Sequence, residues 1–354
     1  MALSKILPAS QEQYAGARNL IINGAAQINQ RGAIAAGATD SYFADRWSHI
    51  HNGTSARVAL DTSTDVPSGE GFNKSLKIDV STADTSPTGT NYMILRQVLE
   101  GQDLVRLKKG TSSAESLTLS FWVKSSVTGT YIAELFDLHN TRQISKTYTV
   151  STANTWEKKT ITFPGDTSGA FTYDNSGGLS VQWWLLAGGD FTSGTLNDSA
   201  WAASTNANRV VGQVNLFAST SNEFYMTGVQ LEVGEATPFE HRSYGDELAR
   251  CQRYYQSIDT NGRTQTIGFG HRQATNTVRF SIPSPVALRA DPSISISGTV
   301  NCLESDGSST ATTSISGLYN SNGYVVATGT ASGVVAGSIT MQGYGGTVQI
   351  DAEL

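Results

Sequence analysis

The chain has 354 residues, which is too long for one ordinary core and predicts two domains with extensions. Only 15% of the residues are charged, against roughly 25% in typical globular proteins, and Gly, Ser and Thr recur throughout. A net charge of −6 excludes a dedicated nucleic-acid binder, and the absence of any apolar run of about 18 residues excludes a membrane-spanning helix.

Residues 1–35 form the first region, and their start lacks the apolar stretch of a signal peptide. We therefore expect synthesis in a reducing cytoplasm. The segment ARNLIINGAAQINQRGAIAAG contains one short aliphatic run, Leu20, Ile21 and Ile22. This region is too small for a core of its own, so we expect it to attach to another domain or to another chain.

Residues 36–240 form a series of predicted strands bounded by Gly, Asn, Asp and Ser. Period-two alternation indicates antiparallel sheets with one buried and one wet face, typical of a jelly-roll β-sandwich. The predicted strands are SLKIDV (75–80), SLTLSFWVKSS (116–126), TYIAELFDL (130–138), KTYTV (146–150), WEKKTITF (156–163), LSVQWWLLAG (179–188), RVVGQVNLFAS (209–219) and EFYMTGVQLEVG (223–234).

Residues 241–257 are predicted to form a helical linker. Ser243 and Asp246 suit the first turn of a helix, and Leu248, Cys251 and Tyr255 fall on one face. A helix of about ten residues is marginal alone, so it must dock on something. The two cysteines, Cys251 and Cys302, are interpreted as buried hydrophobic residues and not as a disulfide.

Residues 258–354 are again β in pattern, with short strands separated by Gly, Asn and Ser turns. About a hundred residues suffice for a second, smaller β-sandwich. The overall prediction is an all-β chain: a jelly roll, a short helix and a second β-domain.

Catalytic and metal-binding motifs are absent from the sequence, so we predict no enzyme activity, no cofactor and no metal. His49 and His51 lie on one face of a strand but lack a third ligand at a telling spacing, and surface or core-edge histidines are the alternative. Asp40, Asp45 and Asp79 have the oxygen ligands that Ca²⁺ prefers, without a recognisable calcium loop.

Tryptophans on strands are the better candidates for a binding site, because a flat indole on a wet sheet stacks on sugar rings. Trp122 alternates with polar residues, and Trp183 and Trp184 fall on opposite faces of one strand, so at least one of the two should be exposed or at an interface. Trp201 lies in a polar loop. The alternative is that these rings cover the sandwich rim, lie under a loop or face a neighbouring subunit.

Three segments together resemble hallmarks of the tail fibre and receptor-binding proteins of tailed bacteriophages. They are ARNLIINGAAQINQRG, YFADRW (42–47) and GVQLEVGEATPFEHRSYGDELARCQRYY. The resemblance implies a carbohydrate-binding-module-like jelly roll, then a short helix and a C-terminal β tip. It also implies a virion protein of the tail, a homotrimer bound to other virion proteins through residues 1–35, which attaches to a host-surface glycan or protein.

The resulting hypothesis is a phage adhesin that binds without catalysis. A decoration protein without a receptor and a polysaccharide depolymerase remain the alternatives. Loops of the tip are expected to carry recognition, through Asn261, Asn320, Asn322 and Tyr324. The charged stretch between the domains is interpreted as inter-domain or inter-subunit contact, through Glu240, His241, Arg242, Asp246, Arg250 and Tyr254.

Overall fold

The structure, a computed structural model, describes residues 18–38, 40–259, 264–305, 307–321, 323–335 and 337–354. The chain divides into two compact units, Met1–Tyr244 and Gly245–Leu354. Within the described ranges, no helix has both the length and the apolar character to cross a membrane. Regular structure is almost entirely β, which confirms the all-β prediction.

Unit 1 consists of strands joined by loops and short helical turns. Its strands are β1 (Ile34–Ala38), β2 (Ser41–Tyr42), β3 (Ser48–Asn52), β4 (Arg57–Ser63), β5 (Ser75–Thr82), β6 (Tyr92–Glu100), β7 (Leu117–Ser125), β8 (Gly129–Asp137), β9 (Arg142–Val150), β10 (Glu157–Phe163), β11 (Gly177–Ala187), β12 (Ala202–Ala203) and β13 (Glu223–Val233). The connections hold helix α1 (Gly189–Thr192) and the 3₁₀ helices Gly101–Leu107, Asn206–Asn208 and Leu216–Ala218.

The strands of unit 1 form two antiparallel sheets. Sheet A has the order β1-β4-β5-β13-β7-β10, and sheet B has the order β12-β9-β8-β11-β6-β3-β2. From β5 onward the chain crosses repeatedly between the sheets, to β6, back to β7, over to β8 and β9, back to β10 and over to β11. The predicted jelly-roll sandwich is therefore confirmed.

The core of unit 1 lies between the inner faces of the two sheets. Phe121 of β7, Tyr131 of β8 and Trp183 of β11 are fully buried there, and Trp47 packs 5.6 Å from the Trp183 ring. The positions of Phe121, Tyr131 and Trp183 are set by the period-two alternation of their strands. Burial of such side chains stabilises the sandwich by about 1.5–3 kcal/mol each.

The connection 188–215 covers part of the outer face of sheet B. Its Phe191 and Val210 form a second apolar cluster with Ile94, Ile132 and Trp184 of that face. The strand predicted over 209–219 is therefore wrong. Val210 packs on the outer face of sheet B, whereas Leu216 and Phe217 of the following 3₁₀ helix belong to the core between the sheets.

Unit 2 is built from a short helix and a further set of strands. They are helix α2 (Tyr244–Gln252), which begins at the last residue of unit 1, and strands β14 (Tyr255–Asp259), β15 (Thr264–Ala274), β16 (Thr277–Pro283), β17 (Ser293–Glu304), β18 (Ser309–Ala311), β19 (Ser314–Ser321), β20 (Tyr324–Thr330) and β21 (Ser338–Asp351). The predicted helix is present, and Cys251 on its predicted apolar face is fully buried.

The strands of unit 2 form one antiparallel sheet of order β18-β17-β21-β15-β16-β20-β19, with β14 also paired to β21. Its core includes Val278, Phe280 and Ile282 of β16. Edge strand β19 approaches the segment before β17, since a Cβ on Gly317 would lie 2.1 Å from the carbonyl oxygen of Pro292. The second β-domain is thus one continuous sheet folded over its own core.

Candidate functional site

The outer face of sheet A gathers aromatic and charged side chains on the neighbouring strands β13, β7 and β10. In β7, Phe121 is fully buried in the core. Since successive side chains of a strand alternate, Trp122 and Lys124 lie on the opposite, outer face. Trp122 stands directly across from Thr227 of β13 and from Lys158 of β10.

The indole of Trp122 is half-buried, and none of the described residues gives it a hydrogen-bond or ring partner. Within the described part of the chain it makes no ring contact, and its Nε1–H donates no hydrogen bond. A buried indole N–H usually finds an acceptor, and Trp122 Nε1 is not among the buried nitrogen atoms without a partner, so it reaches solvent. The predicted position on the polar face is confirmed, while a binding role for Trp122 stays a prediction.

Trp156 precedes β10 and lies on the same face, two residues before the position opposite Trp122. Its Nε1–H donates to Asp65 Oδ1 at 2.9 Å, and Lys124 Nζ also contacts the Asp65 carboxylate. Lys124 Nζ lies 4.4 Å from the centre of the Tyr225 ring. Partial burial opposes ionisation of Asp65, but the hydrogen bonds from Lys124 and Trp156 outweigh it and lower the pKa of Asp65.

A chain of charged groups continues from Tyr225 across β13 and β5. The Tyr225 hydroxyl donates to Glu223 Oε2 at 3.0 Å, and Lys77 Nζ lies 2.7 Å from Asp79 and 3.1 Å from Glu223. Burial, with the Glu223 carboxylate, raises the pKa of Tyr225 to about 12, so its hydroxyl remains a proton donor at neutral pH. Burial and the adjacent Glu223 carboxylate raise the pKa of Asp79 against the opposing effect of Lys77.

This face has the chemistry that recognises a polyhydroxylated ring. The Trp122 indole offers an apolar plane, and Lys124, Asp65 and Tyr225, which other side chains hold in place, offer fixed hydrogen-bond donors and acceptors. We refer to Trp122 together with Trp156, Lys158 and Lys124 as the sheet A face.

The prediction that Trp184 binds a ligand is wrong. Trp183 and Trp184 do point to opposite faces of β11, yet both are fully buried. Trp184 Nε1–H donates to Glu134 Oε2 at 2.9 Å, and Arg209 donates two hydrogen bonds of 2.8 Å to the same carboxylate. The cause is the connection 188–215, whose Arg209 lies 4.8 Å from the centre of the Trp184 ring.

Trp201 forms one wall of a buried ion cluster. Its Nε1–H donates to the Pro164 carbonyl oxygen at 2.8 Å, and Lys109 Nζ lies 5.5 Å from its ring centre. Lys109 is 3% exposed and pairs with Asp137 and with Asp166 at 3.0 Å. The adjoining cavity is about 10 Å³, roughly the size of one water, so it cannot hold a sugar ring.

Glu240 and Arg242 fasten the N-terminal segment within unit 1. The Glu240 carboxylate accepts hydrogen bonds from the backbone N–H groups of Asn19 at 2.8 Å and Arg18 at 3.3 Å. Arg242 donates to the carbonyl oxygen of Ile21 at 3.0 Å and to that of Asn19. These two charged residues therefore bond inside unit 1, where they join segments far apart in sequence.

The aliphatic run of the first motif packs on the sandwich of its own unit. Leu20 is 8% exposed and Ile21 is fully buried, both in the core of unit 1. The Leu20 N–H donates to the Leu231 carbonyl oxygen at 2.8 Å, and the Gln97 amide makes two 2.8 Å hydrogen bonds to the Ile22 backbone. The sequence left two possible partners for this run, another domain or another chain. Leu20 and Ile21 pack on the sandwich of unit 1, so their side chains are not available to a second chain.

The YFADRW motif joins the same network. Asn23 Nδ2 donates to the carbonyl oxygens of Ile28 at 2.7 Å and Asp45 at 3.0 Å. Trp47 Nε1–H donates to the Asn23 carbonyl oxygen at 3.0 Å, and Gln30 donates twice to Asp45 at 2.7 Å. The first two motifs thus share one hydrogen-bond network, and Glu240 and Arg242 connect the third motif to the first.

The other residues predicted at interfaces occupy three settings. His241 is exposed and its ring centre lies 5.4 Å from that of Phe72. Asp246 and Arg250 are exposed on helix α2, and their role in an interface stays a prediction. Tyr254 is 1% exposed and therefore belongs to the buried part of unit 2.

The predicted tip residues are partly visible in unit 2. Tyr324 is 52% exposed at the start of β20. Asn320 is half-buried in β19, and its N–H donates to Asp291 Oδ1 at 2.9 Å. Asn261 and Asn322 lie outside the described residues. Recognition by this region stays a prediction.

Strand register reveals two further exposed rings on unit 2 that sequence reasoning missed. Phe269 pairs with Ser281, Ser281 with Val326, and Val326 with Tyr319, so all four form a row across the sheet. Phe269 is 63% and Tyr319 44% exposed. Alternation within TIGFGH and SISGLYNS could have indicated them, but the bulges in β15 and β19 interrupt the pattern.

Across the described ranges, no three His, Cys, Asp or Glu side chains lie close enough to hold a metal ion. His49 is fully buried, whereas His51 Nδ1 lies 2.8 Å from Asp40. Partial burial opposes ionisation of Asp40, but the hydrogen bonds from His51 outweigh it and lower the pKa of Asp40. The two histidines therefore serve separate local contacts.

No protein-family model matches the chain, and no curated protein matches it. Among solved structures, it is similar to the enzymatically active domain of bacteriophage CBA120 tailspike protein 4, at 15% identity and a TM-score of 0.34, over 62% of this chain and 22% of that one. A putative sugar binding protein from Bacteroides thetaiotaomicron is similar at 12% identity and a TM-score of 0.33, over 61% and 100%. A family 11 carbohydrate-binding module of Clostridium thermocellum is similar at 14% identity and a TM-score of 0.29, over 59% and 99%. At these scores the likenesses carry no functional argument, which must come from the residues of this chain.

Proposed function

We propose that this chain is a host-attachment protein of a tailed bacteriophage, which binds a cell-surface glycan through the sheet A face without catalysing a reaction. The observation that carries the proposal is the half-buried Trp122 indole, which has no partner within the described residues. The exposed part of this ring can stack on the apolar face of a sugar ring.

The surroundings of Trp122 favour a glycan over a purely apolar partner. Lys124 is fixed by Asp65 and by the Tyr225 ring, so its position is set before any ligand arrives. Binding to such a face costs little side-chain entropy. Polar groups held in this way select for a ligand that can satisfy them with hydroxyl groups.

The three motifs that resemble phage tail fibres support the assignment to a virion. Two of them form a single network, and Glu240 and Arg242 bind the third to the first. Their residues are therefore determinants of one fold. We expect a homotrimer bound to other tail proteins, in which three linked weak sites raise avidity by roughly 10²–10⁴.

Binding of the purified, labelled chain to bacterial cells and to an array of bacterial surface polysaccharides tests the proposal. Trp122→Ala is expected to weaken binding at least about tenfold, the size of a hot-spot truncation of about 1.4 kcal/mol. Tyr173→Ala is the matched control, because Tyr173 is a 47% exposed ring in the connection between β10 and β11, where its neighbour Thr172 bonds to His139 after β8 of sheet B. Reducing-sugar release measured in parallel would reveal a depolymerase.

Three outcomes separate the possibilities. Wild-type protein that binds no cell and no polysaccharide would rule out the attachment function. A folded Trp122→Ala variant with unchanged affinity would exclude the sheet A face. If a Phe269→Ala/Tyr324→Ala variant lost binding instead, the receptor site would lie on unit 2.

A further inference from the structure

The cations on the outer face of sheet A differ in how they are neutralised. Lys77 is shared between Asp79 and Glu223, at 2.7 and 3.1 Å. Lys124 pairs with Asp65 and also lies over two aromatic rings. Both lysines therefore have a carboxylate already in place and bring no net charge to a ligand.

Lys158 of β10 has no such carboxylate in the part of the chain that the structure describes. It is exposed, and within the described residues it forms no ion pair and no hydrogen bond through its side chain. The nearest carboxylate along the strand, Glu157, is taken by Lys159 at 2.6 Å and by the backbone of Ser151 and Thr152. No carboxylate of the described residues therefore offsets the charge of Lys158.

The register places this charge beside the open indole. Lys158 and Trp122 are directly opposite in the β10–β7 pair, and the Cβ atoms of such pairs lie about 4.5–5.5 Å apart. Thr160, the next outward residue of β10, is also exposed. An apolar plane, a cation and a hydroxyl group therefore occupy adjacent positions on two paired strands.

We propose that the ligand of the sheet A face is an acidic glycan, in which a uronic acid ring stacks on Trp122 and its carboxylate pairs with Lys158. This inference rests on the function proposed above and narrows the ligand class. The chain carries a net charge of −6, so an acidic polymer is repelled on average and needs a local cation to bind. A lysine supplies that cation as a point charge without the fixed geometry of an arginine fork.

Matched sugars provide the test. Oligosaccharides of galacturonic, glucuronic and mannuronic acid are compared with their methyl esters, which keep the ring and the linkage but lose the charge. Isothermal titration of the wild-type chain is expected to show an approximately fivefold or greater preference for at least one acid, as one partly exposed ion pair of about 1 kcal/mol gives. Lys158→Met should abolish the preference for the acid over its ester, whereas Lys158→Arg should retain it.

Lys146→Met is the control for the change in net charge, because Lys146 belongs to β9 of sheet B. Equal affinity of the wild-type chain for the acids and their esters overturns the acidic-ligand inference and leaves glycan binding intact. A preference that persists in Lys158→Met also overturns it. Failure to bind any acid or ester, together with failure on the polysaccharide array, counts against the proposed function itself.

Discussion

Replacement of Arg209 by methionine tests the ion pair that holds the connection 188–215 on sheet B. Glu134 is fully buried and accepts two hydrogen bonds from Arg209 and one from Trp184. The substitution removes the first two and leaves a buried carboxylate without its counter-charge, which destabilises by about 3–5 kcal/mol. For a unit of this size each kcal/mol lowers Tm by about 2–4 °C, so we expect a fall of roughly 6–20 °C.

Tryptophan fluorescence is a selective assay for this loss. All six tryptophans precede residue 245 and so report on unit 1 alone: Trp47, Trp122, Trp156, Trp183, Trp184 and Trp201. The double variant Glu134→Gln/Arg209→Met removes the charge as well as its partner and keeps an acceptor for Trp184. It should therefore recover at least half of the lost stability.

Two results would refute this reasoning. A loss below about 1 kcal/mol in Arg209→Met would mean that the pair behaves as an exposed surface ion pair. A double variant no more stable than Arg209→Met would mean that the unpaired charge is not what destabilises the single variant.

Three further substitutions test other parts of unit 1. Gly228→Ala should cost about 2–4 kcal/mol in urea unfolding, because Gly228 has φ +61° and an added Cβ would lie 2.6 Å from the Phe72 ring. Tyr148→Phe should be neutral or stabilising by about 1 kcal/mol in the same assay, because the Tyr148 hydroxyl is buried without a partner among the described residues. Asp166→Asn should flatten the acid dependence of stability below about pH 4, measured by unfolding at pH 7 and pH 3. Burial opposes ionisation of Asp166, but bonds from Arg142, Ser168 and Lys109 lower its pKa from 3.8, so its stabilisation is present above that value and is lost as the pH falls through the folded-state pKa.

Each of these expectations can fail in a recognisable way. A fully stable Gly228→Ala would show that the bulge of β13 relaxes away from Phe72. A strongly destabilised Tyr148→Phe would reveal a hydrogen bond of that hydroxyl, for example to an internal water. An unchanged acid dependence in Asp166→Asn would assign acid sensitivity to other carboxylates.

The alternation of apolar and polar residues predicted the sandwich and the side of β7 on which Trp122 lies. In a strand with one solvent-exposed face, every second side chain is buried, so the pattern is visible in the sequence. The same rule failed for Trp184. Both faces of β11 are covered, and the cover on one of them comes from the connection 188–215. Burial by an irregular segment leaves no periodic trace in the strand that it covers.

The other contacts that could not be predicted from the sequence join residues far apart in the chain. Glu240 and Arg242 were recognisable as a charged cluster, yet their partners are backbone groups of Asn19 and Ile21, which carry no side-chain signature. The sequence likewise did not show that Lys158 lacks a carboxylate partner among the described residues, because this depends on which carboxylates pair with the other lysines. Such assignments require strand register, which a single sequence does not supply.

The position of β13 has a consequence for the order of events during synthesis. It lies between β5 and β7 in sheet A, yet about 150 residues separate the end of β5 from the end of β13. At about 5–20 residues per second, β5 waits roughly 8–30 s on the ribosome with an open edge. Residues 18–21 wait longer, until Glu240 and Arg242 emerge. Sheet A is therefore complete only after β13, the last strand of unit 1 to be synthesised, pairs with β5 and β7. Until then the open edge of β5 exposes the nascent chain to aggregation.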